Sequence, residues 1–173
     1  MIVQRARFVN DGHGVVLVIS RKCLMLTEIV WNRLSKIASL SFEASSSIPN
    51  GWNGSGIGIV VVESPNNQTL LFRERGQWSS PDGRQLTFSN VYRWSRDTNN
   101  SRIRLEHLRF GPDQPVYLFE LAGVDAQKMI SVEPHVCSED LYSAQLVVMD
   151  SQLNLDWTVT GPKKNETIKY AYA

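Results

Sequence analysis

Alternation of apolar and polar residues in successive segments constrains the fold of this chain more than any other feature. Apolar side chains recur at every second position, as in Leu70 and Phe72 or Ile103 and Leu105, which is the period of a β-strand. Turn sequences such as Pro81-Asp82-Gly83 separate one segment from the next. The pattern begins near residue 56 and continues to the last residues, so strands dominate the chain.

The turns between these segments are short and carry no helix, so neighbouring strands must run antiparallel and form a meander. A meander of about eight to ten twisted strands either splits into two sheets or closes on itself. Closure also removes the exposed edges that favour aggregation. We therefore predict an all-β fold, an antiparallel up-and-down barrel of about eight to ten strands.

A short helix is predicted ahead of the strands, over residues 27–38. Val30, Leu34 and Ile37 fall on one helical face, and Thr27 is a plausible N-cap. We expect this helix to close one end of the sheet. A flexible loop is predicted over residues 45–55, which are rich in serine and contain two Asn-Gly pairs.

The first residues have two interpretations. The apolar run Val15–Ile19 is either an extra strand or part of an extension upstream of a domain that starts near Met25. We favour the second, which gives an extension over residues 1–24 and a single barrel domain over residues 25–173. The run is too short for a signal-peptide core or a membrane span.

Composition limits the classes of function. A net charge of +1 argues against a large binding surface for nucleic acid or for an anionic membrane. Cys23 and Cys137 are too few and too far apart to form a disulfide framework, so we expect free thiols and a cytoplasmic protein. No motif implies a cofactor, and the sequence does not indicate the oligomeric state.

The predicted interior of the barrel contains isolated polar groups among aromatic residues. If Leu70 and Phe72 face inward then so does Glu74, and His107 follows Leu105. The residues expected to bind a ligand here are Phe72, Glu74, Trp78, Tyr92, Trp94, His107 and Trp157. An interior of this size is either filled by side chains or holds one small ligand. If the barrel is filled by side chains and holds no ligand, Glu74 would instead pair with Arg73, Arg75 or Arg93 near a barrel mouth.

The segment Gly56–Val62, with apolar residues at odd and even positions, is predicted to be buried on both faces or to lie between core and helix.

The stretch Glu133–Tyr142 holds the densest group of ionisable residues. His135, Asp140 and Tyr142 are the candidate catalytic residues, with Asp140 orienting His135 and Tyr142 acting as acid. His135 and Tyr142 could also contact a ligand. A Cys137 nucleophile or a metal site is conceivable, but the cluster lacks the paired spacing of zinc sites, and we predict no metal. A loop fixed by an Asp140 turn is the favoured structural alternative.

The turn Gly161-Pro162-Lys163-Lys164 lacks the spacing of a phosphate-binding loop. Lys163, at the predicted barrel rim, could meet an acidic group of a ligand.

Four segments together resemble an uncharacterised family of small bacterial and fungal domains. They are Leu71–Gly76, Tyr92–Trp94, His135–Tyr142 and Trp157–Lys163, followed by Tyr170. The resemblance covers roughly residues 31–173 and implies a calycin-like or lipocalin-like barrel, with no activity to carry over. The chain departs from the family pattern at Asn165 and Glu166, where an aromatic residue is frequent, and over residues 114–119, where a histidine is frequent.

Three functions of different classes follow from these observations. The leading hypothesis is a cytoplasmic barrel that binds a small, largely apolar molecule, with no nucleic-acid or membrane partner. The second is an acid–base enzyme, such as an isomerase or cyclase, that uses the same cavity. The third is a protein-interaction module with a contiguous exposed apolar patch, for example on the helix around Trp31.

Overall fold

The computed structural model describes residues 8–10, 15–17, 21–48, 51–137 and 139–173. The predictions made for Cys137 as nucleophile or metal ligand fall on a side chain outside this description, as do those made for most of the first twenty residues.

The described N-terminal part consists of a small hairpin and one helix. Strands β1 (Phe8–Asn10) and β2 (Val15–Leu17) pair antiparallel, with Phe8 opposite Leu17. Part of the apolar run at Val15 therefore has a partner. Helix α1 spans Arg21–Leu34, so the boundary predicted at Met25 falls inside it.

Eleven further strands follow the helix. They are β3 (Ser39–Ser46), β4 (Gly54–Asn66), β5 (Thr69–Ser79), β6 (Gln85–Asp97), β7 (Arg102–His107), β8 (Val116–Gly123), β9 (Lys128–Ser131), β10 (His135–Cys137), β11 (Asp140–Val148), β12 (Leu153–Gly161) and β13 (Lys164–Tyr172). The sequence patterns predicted most of them within a few residues. They missed β3, β9 and β10, because β3 is rich in serine and β9 and β10 have only four and three residues.

Ten of these strands form a closed antiparallel barrel, which confirms the predicted fold class. Strands β3 to β9 pair in sequence order, β11 to β13 do the same, and β13 pairs with β3. The ring closes where Gln145 and Val147 of β11 pair with Ile130 and Lys128 of β9. The short β10 pairs with the other half of β11, at His135 and Tyr142.

Alternation along the strands places the apolar residues in a single continuous core. Leu70, Phe72, Trp94, Leu105 and Phe119 are almost completely buried on the inward faces. Burial of side chains of this size contributes about 1.5–3 kcal/mol each, relative to exposure. The interior near the helix is therefore filled by protein side chains.

Helix α1 closes one end of the barrel, as predicted, but over different residues. Leu26, Val30 and Leu34 are buried and lie along one face of the helix. Thr27 is not the N-cap, since the helix begins six residues earlier, at Arg21. Its hydroxyl instead donates to the backbone oxygen of Ser101 over 3.0 Å, which ties the helix to the β6–β7 turn.

Ion pairing strengthens the same contact. Arg96 of β6 pairs with Glu28 of the helix at 3.0 Å, and its guanidinium lies 5.1 Å from the ring centroid of Trp31. Arg33, in the last turn of the helix, donates to the backbone oxygen of Met149 in the β11–β12 turn. We refer to this end of the barrel as the helix end, and to the opposite one as the open end.

The prediction that the segment Gly56–Val62 is buried on both faces is wrong. Ile57, Ile59 and Val61 are 70%, 59% and 53% exposed on the outer face of β4. Only the other face is inward, and it carries Gly56, Gly58 and Val60. An unbroken apolar run does not distinguish a two-sided strand from one with an apolar outer stripe.

No helix in the described part of the chain is both long and apolar enough to cross a membrane.

Candidate functional site

The open end of the barrel carries the features that bear on function. The β3–β4 loop, the β5–β6 turn, the β7–β8 turn, the β12–β13 turn and strand β10 all lie at this end. Because every pairing in the ring is antiparallel, these connections meet at one rim, while the helix covers the other. The inward column of β6 begins here with Leu86 and continues through Phe88, Asn90 and Tyr92.

An open cleft of about 650 Å³ lies at this rim, between the β3–β4 loop and the β5–β6 turn. Its apolar lining is formed by Trp52, Trp78, Pro81 and Leu86. Trp52 is 46% exposed and Leu86 is 61% exposed, so both present apolar surface at the cleft. A volume of this size falls in the range of sites for small organic molecules.

Aromatic rings form the wall of the cleft. The rings of Trp52 and Trp78 are parallel within 6° at a centroid distance of 5.8 Å. Trp52 also stacks on Phe42, at 6.2 Å and with an interplanar angle of 13°. Phe42 and Trp78 are buried, so Trp52 provides the exposed aromatic surface of this stack.

The sequence makes room for this wall by omitting side chains on β4. A Cβ at Gly56 would lie 2.2 Å from the ring of Phe42, and one at Gly54 would lie 2.6 Å from Nε1 of Trp78. Real Cβ atoms do not approach so closely, so glycine is required for both rings to rest on the strand. Gly54 also has φ of 150°, which other residues rarely adopt.

Asn53 holds the loop that carries Trp52. Its Oδ1 accepts from the backbone N–H of Ser46 at 2.8 Å, and its Nδ2 donates to the backbone oxygen of Gly51 at 3.1 Å. Both ends of the amide are therefore engaged within the loop. This fixes the position of the neighbouring Trp52 at the cleft.

The β5–β6 turn provides the charged edge of the cleft. Asp82 accepts from the hydroxyl of Ser80 and, at 2.9 Å, from Nε of Arg84. The Ser80 hydrogen bond and the Arg84 charge lower the pKa of the Asp82 carboxyl. The terminal nitrogens of Arg84 make no hydrogen bond within the described part of the chain.

Deeper in the barrel, Glu74 is the centre of a buried polar cluster. Its carboxylate accepts from the phenol of Tyr172 at 2.8 Å and from Nδ2 of Asn90 at 3.3 Å. Burial raises the pKa of Glu74 to about 7, and the two hydrogen bonds oppose that shift. The predicted pairing with Arg73, Arg75 or Arg93 is wrong, since Arg73 binds Glu63, Arg93 binds Glu106 and Arg75 lies on the outer face.

Tyrosines extend this cluster toward the rim. Tyr170 stacks on Tyr172 at 5.3 Å and interacts with the phenol of Tyr92. Tyr92 in turn contacts the ring of His107, at a centroid distance of 4.7 Å. Burial raises the pKa of all three phenols and lowers the pKa of His107, with a further lowering from Arg109. The phenols therefore stay protonated and act only as neutral hydrogen-bonding groups.

The candidate catalytic residues form a separate group at the rim. The ring of His135 lies 4.8 Å from that of Tyr117 and 6.1 Å from that of Tyr142. Asp140 does not orient His135, because its carboxylate accepts from Nζ of Lys164 at 2.6 Å. This hydrogen bond raises the pKa of Lys164. His135 therefore has aromatic neighbours in place of the carboxylate that the acid–base interpretation required.

Most of the other residues expected to bind a ligand lie outside the cleft, several of them packed in the core. Phe72 and Trp94 are completely buried and contact each other at 6.0 Å. Trp157 is buried between Phe119 and Tyr170. Lys163 is exposed in the β12–β13 turn. Of the predicted set, only Trp78 lines the cleft.

Sequence reasoning missed Trp52, Leu86 and Arg84 as cleft residues, and Tyr172 as the partner of Glu74. Trp52 lies in a segment predicted only as a flexible loop, although a tryptophan between two Asn-Gly turns was a signal that the loop packs against something. Leu86 was assigned to the inward face without regard to its position at the strand end. The contact between Glu74 and Tyr172 depends on the pairing of the last strand with β3, which a strand pattern does not encode.

No group of three histidine, cysteine, aspartate or glutamate side chains that could hold a metal occurs among the residues whose side chains are described.

Comparison with known proteins gives a family and no function. No curated protein and no solved structure matches the chain. The sequence profile of a family of unknown function, DUF6314, matches residues 41–173, which include almost the entire barrel and exclude helix α1. This chain therefore belongs to the family of unknown function DUF6314.

Proposed function

We propose that this protein binds a small, largely apolar organic molecule in the cleft at the open end of the barrel. The observation that carries the proposal is the convergence of the exposed Trp52 and Leu86 with Trp78 in the lining of one cleft of about 650 Å³. Exposed apolar side chains that converge on one concavity indicate a binding site more strongly than single ones scattered over a surface. Calycin-like character and a cytoplasmic location remain part of this proposal.

The position of the site differs from the one expected from the sequence. The ligand was expected among the inward residues at mid-barrel, but Phe72, Glu74 and Trp94 are completely buried there. The rim offers what the interior does not, because its aromatic surface is open to solvent. The proposed ligand therefore rests on the top of the core.

The acid–base alternative has less support. Glu74, with a pKa of about 7, is chemically suited to proton transfer, but its side chain is completely buried. Its hydrogen-bond partner Asn90 is only half-buried, while Tyr172 is buried with it. His135 and Tyr142 lie in a different cluster, so a substrate in the cleft would meet none of these groups.

The proposal is tested with a fluorescent apolar probe, N-phenyl-1-naphthylamine, titrated into the protein. Leu86→Glu places a charge in the cleft and should weaken binding at least tenfold. Ile57→Glu is the matched control, because Ile57 is similarly exposed but lies on the outer wall of β4. Equal binding by the two variants and the unmodified protein would overturn the proposal, provided circular dichroism shows that all three are folded.

A further inference from the structure

The polar side chains that line the cleft differ in whether their hydrogen-bonding atoms already have partners within the protein. The side-chain acceptors are all occupied: Asn53 by Ser46, and Asp82 by Ser80 and Arg84. Arg84 uses only Nε in this network, while Nη1 and Nη2 remain available among the described residues. The lining therefore presents free donors next to engaged acceptors, which favours a ligand that brings acceptors of its own.

Charge leads to the same conclusion. Arg84 is the one cationic residue among those that the structure describes in the cleft lining. Its side chain is 79% exposed, so its terminal nitrogens are accessible from the cleft without displacing any core residue. The free edge of a guanidinium matches the two oxygens of a carboxylate, sulfonate or phosphate.

The apolar part of the lining restricts the rest of the ligand. Trp52 stacks on the buried Trp78, parallel within 6°, and the exposed Trp52, Pro81 and Leu86 give the cleft that contains Arg84 an apolar lining. Planar aromatic groups fit such a surface better than branched aliphatic chains do, because they can stack in an offset arrangement. The ring surface and the cation are adjacent in the same cleft.

From this juxtaposition we infer that the ligand is a planar aromatic molecule with an anionic substituent, its ring against the exposed Trp52 and Leu86 and its anion on Arg84. The inference rests on the proposed function and deepens it by naming the chemical class of the ligand. The second charged residue of the lining, Asp82, accepts hydrogen bonds from Ser80 and Arg84 and so stabilises the β5–β6 turn.

Two probes that share the same rings test the inference. The sulfonate 8-anilino-1-naphthalenesulfonate carries the anion, and N-phenyl-1-naphthylamine is the same molecule without it. We expect the unmodified protein to bind the sulfonate about five times more tightly than the neutral probe, which is the effect of one exposed charge-assisted contact. Arg84→Gln should remove this preference, so that the ratio of the two affinities falls from about five to about one.

Arg75→Gln is the matched control, because Arg75 lies on the outer face of β5, away from the cleft, and forms no ion pair in the described part of the chain. It should retain the fivefold preference. Equal affinities of the unmodified protein for the two probes, or an equal loss in both arginine variants, would overturn the inference. If Leu86→Glu binds both probes as tightly as the unmodified protein does, the proposed function itself is overturned. The two failures are therefore distinguishable.

Discussion

Tyr172 donates a hydrogen bond from its phenol to Oε1 of Glu74 over 2.8 Å, across 98 residues of sequence and in the buried centre of the barrel. The contact joins the last strand to β5, and so it depends on the pairing of β13 with β3, which brings the two ends of the barrel domain together. Asn90 completes the cluster from the neighbouring strand β6. A carboxyl group is thus kept in the core by two neutral partners, with no ion pair to any residue whose side chain is described.

Glu74 makes stability depend on pH. Its pKa is raised from 4.5 to about 7 in the folded protein, so between these values the folded state binds more protons than the unfolded state. Stability contributed by the neutral carboxyl is complete below about pH 4.5 and is lost as the pH rises to about 7. We expect a loss of roughly 3 kcal/mol over this window.

The Glu74→Gln variant isolates this effect. Its free energy of unfolding should fall less between pH 4.5 and pH 7.5 than that of the unmodified protein, as measured by urea denaturation. Glu43→Gln is the control, since Glu43 is exposed on β3, and it should follow the unmodified protein. Parallel pH profiles for all three proteins would show that Glu74 does not titrate in this window.

Removal of the Tyr172 hydroxyl should lower the free energy of unfolding because Glu74 loses a hydrogen bond. Tyr172→Phe is expected to destabilise the protein by about 1–3 kcal/mol at pH 8, because the buried carboxylate then loses a donor. In the Glu74→Gln background the same substitution should cost less, giving a coupling energy of about 1 kcal/mol or more in a double-mutant cycle. Additive effects would contradict a direct interaction between the two residues.

The closure of the barrel by α1 gives a simple packing prediction. Leu34→Ala should destabilise the protein by about 2–5 kcal/mol, because Leu34 is completely buried against the helix end. Ile29→Ala, on the exposed face of the same helix, should change stability by less than about 0.5 kcal/mol. Thermal or urea unfolding of both variants distinguishes a packed helix from one that only rests on the barrel, for which the two costs would be similar.

A substitution at Gly56 should affect both the stability of the protein and binding in the cleft. In Gly56→Ala the new Cβ would press on the ring of Phe42, which packs on Trp52, and overpacking of this kind costs about 1–3 kcal/mol. Ser55→Ala, one residue earlier and facing outward, should be nearly neutral. We also expect Gly56→Ala to weaken binding of N-phenyl-1-naphthylamine. If the variant is destabilised but binds the probe unchanged, the position of Phe42 does not affect the cleft.

The sequence was sufficient to predict the barrel but not the location of the cleft. Strand periodicity and short turns specify antiparallel pairing, and they also place Glu74 on an inward face. Which inward residues lie at mid-barrel and which at the rim depends on the stagger of the closed ring. For this reason Leu86 and Phe72, which share an inward pattern, are exposed and completely buried respectively.

Short local patterns were misleading where tertiary contacts decide. The cluster from His135 to Tyr142 looked like the chemical centre because ionisable residues are dense there, but Asp140 is bound by Lys164 from another strand. The apolar run on β4 looked two-sided, but no described element covers Ile57 and Ile59. In both cases the partner, or its absence, lies outside the local sequence.

The most direct test of the central claim is a nitrogen-edited NMR spectrum of the tryptophan indole N–H groups, recorded as N-phenyl-1-naphthylamine is added. The chain has five tryptophans, and they are distributed over the helix, the core and the cleft. Binding in the cleft predicts that the signals of Trp52 and Trp78 shift, while those of Trp31 and Trp94 stay in place. Shifts of Trp31 or Trp94 with Trp52 and Trp78 unchanged would contradict the account.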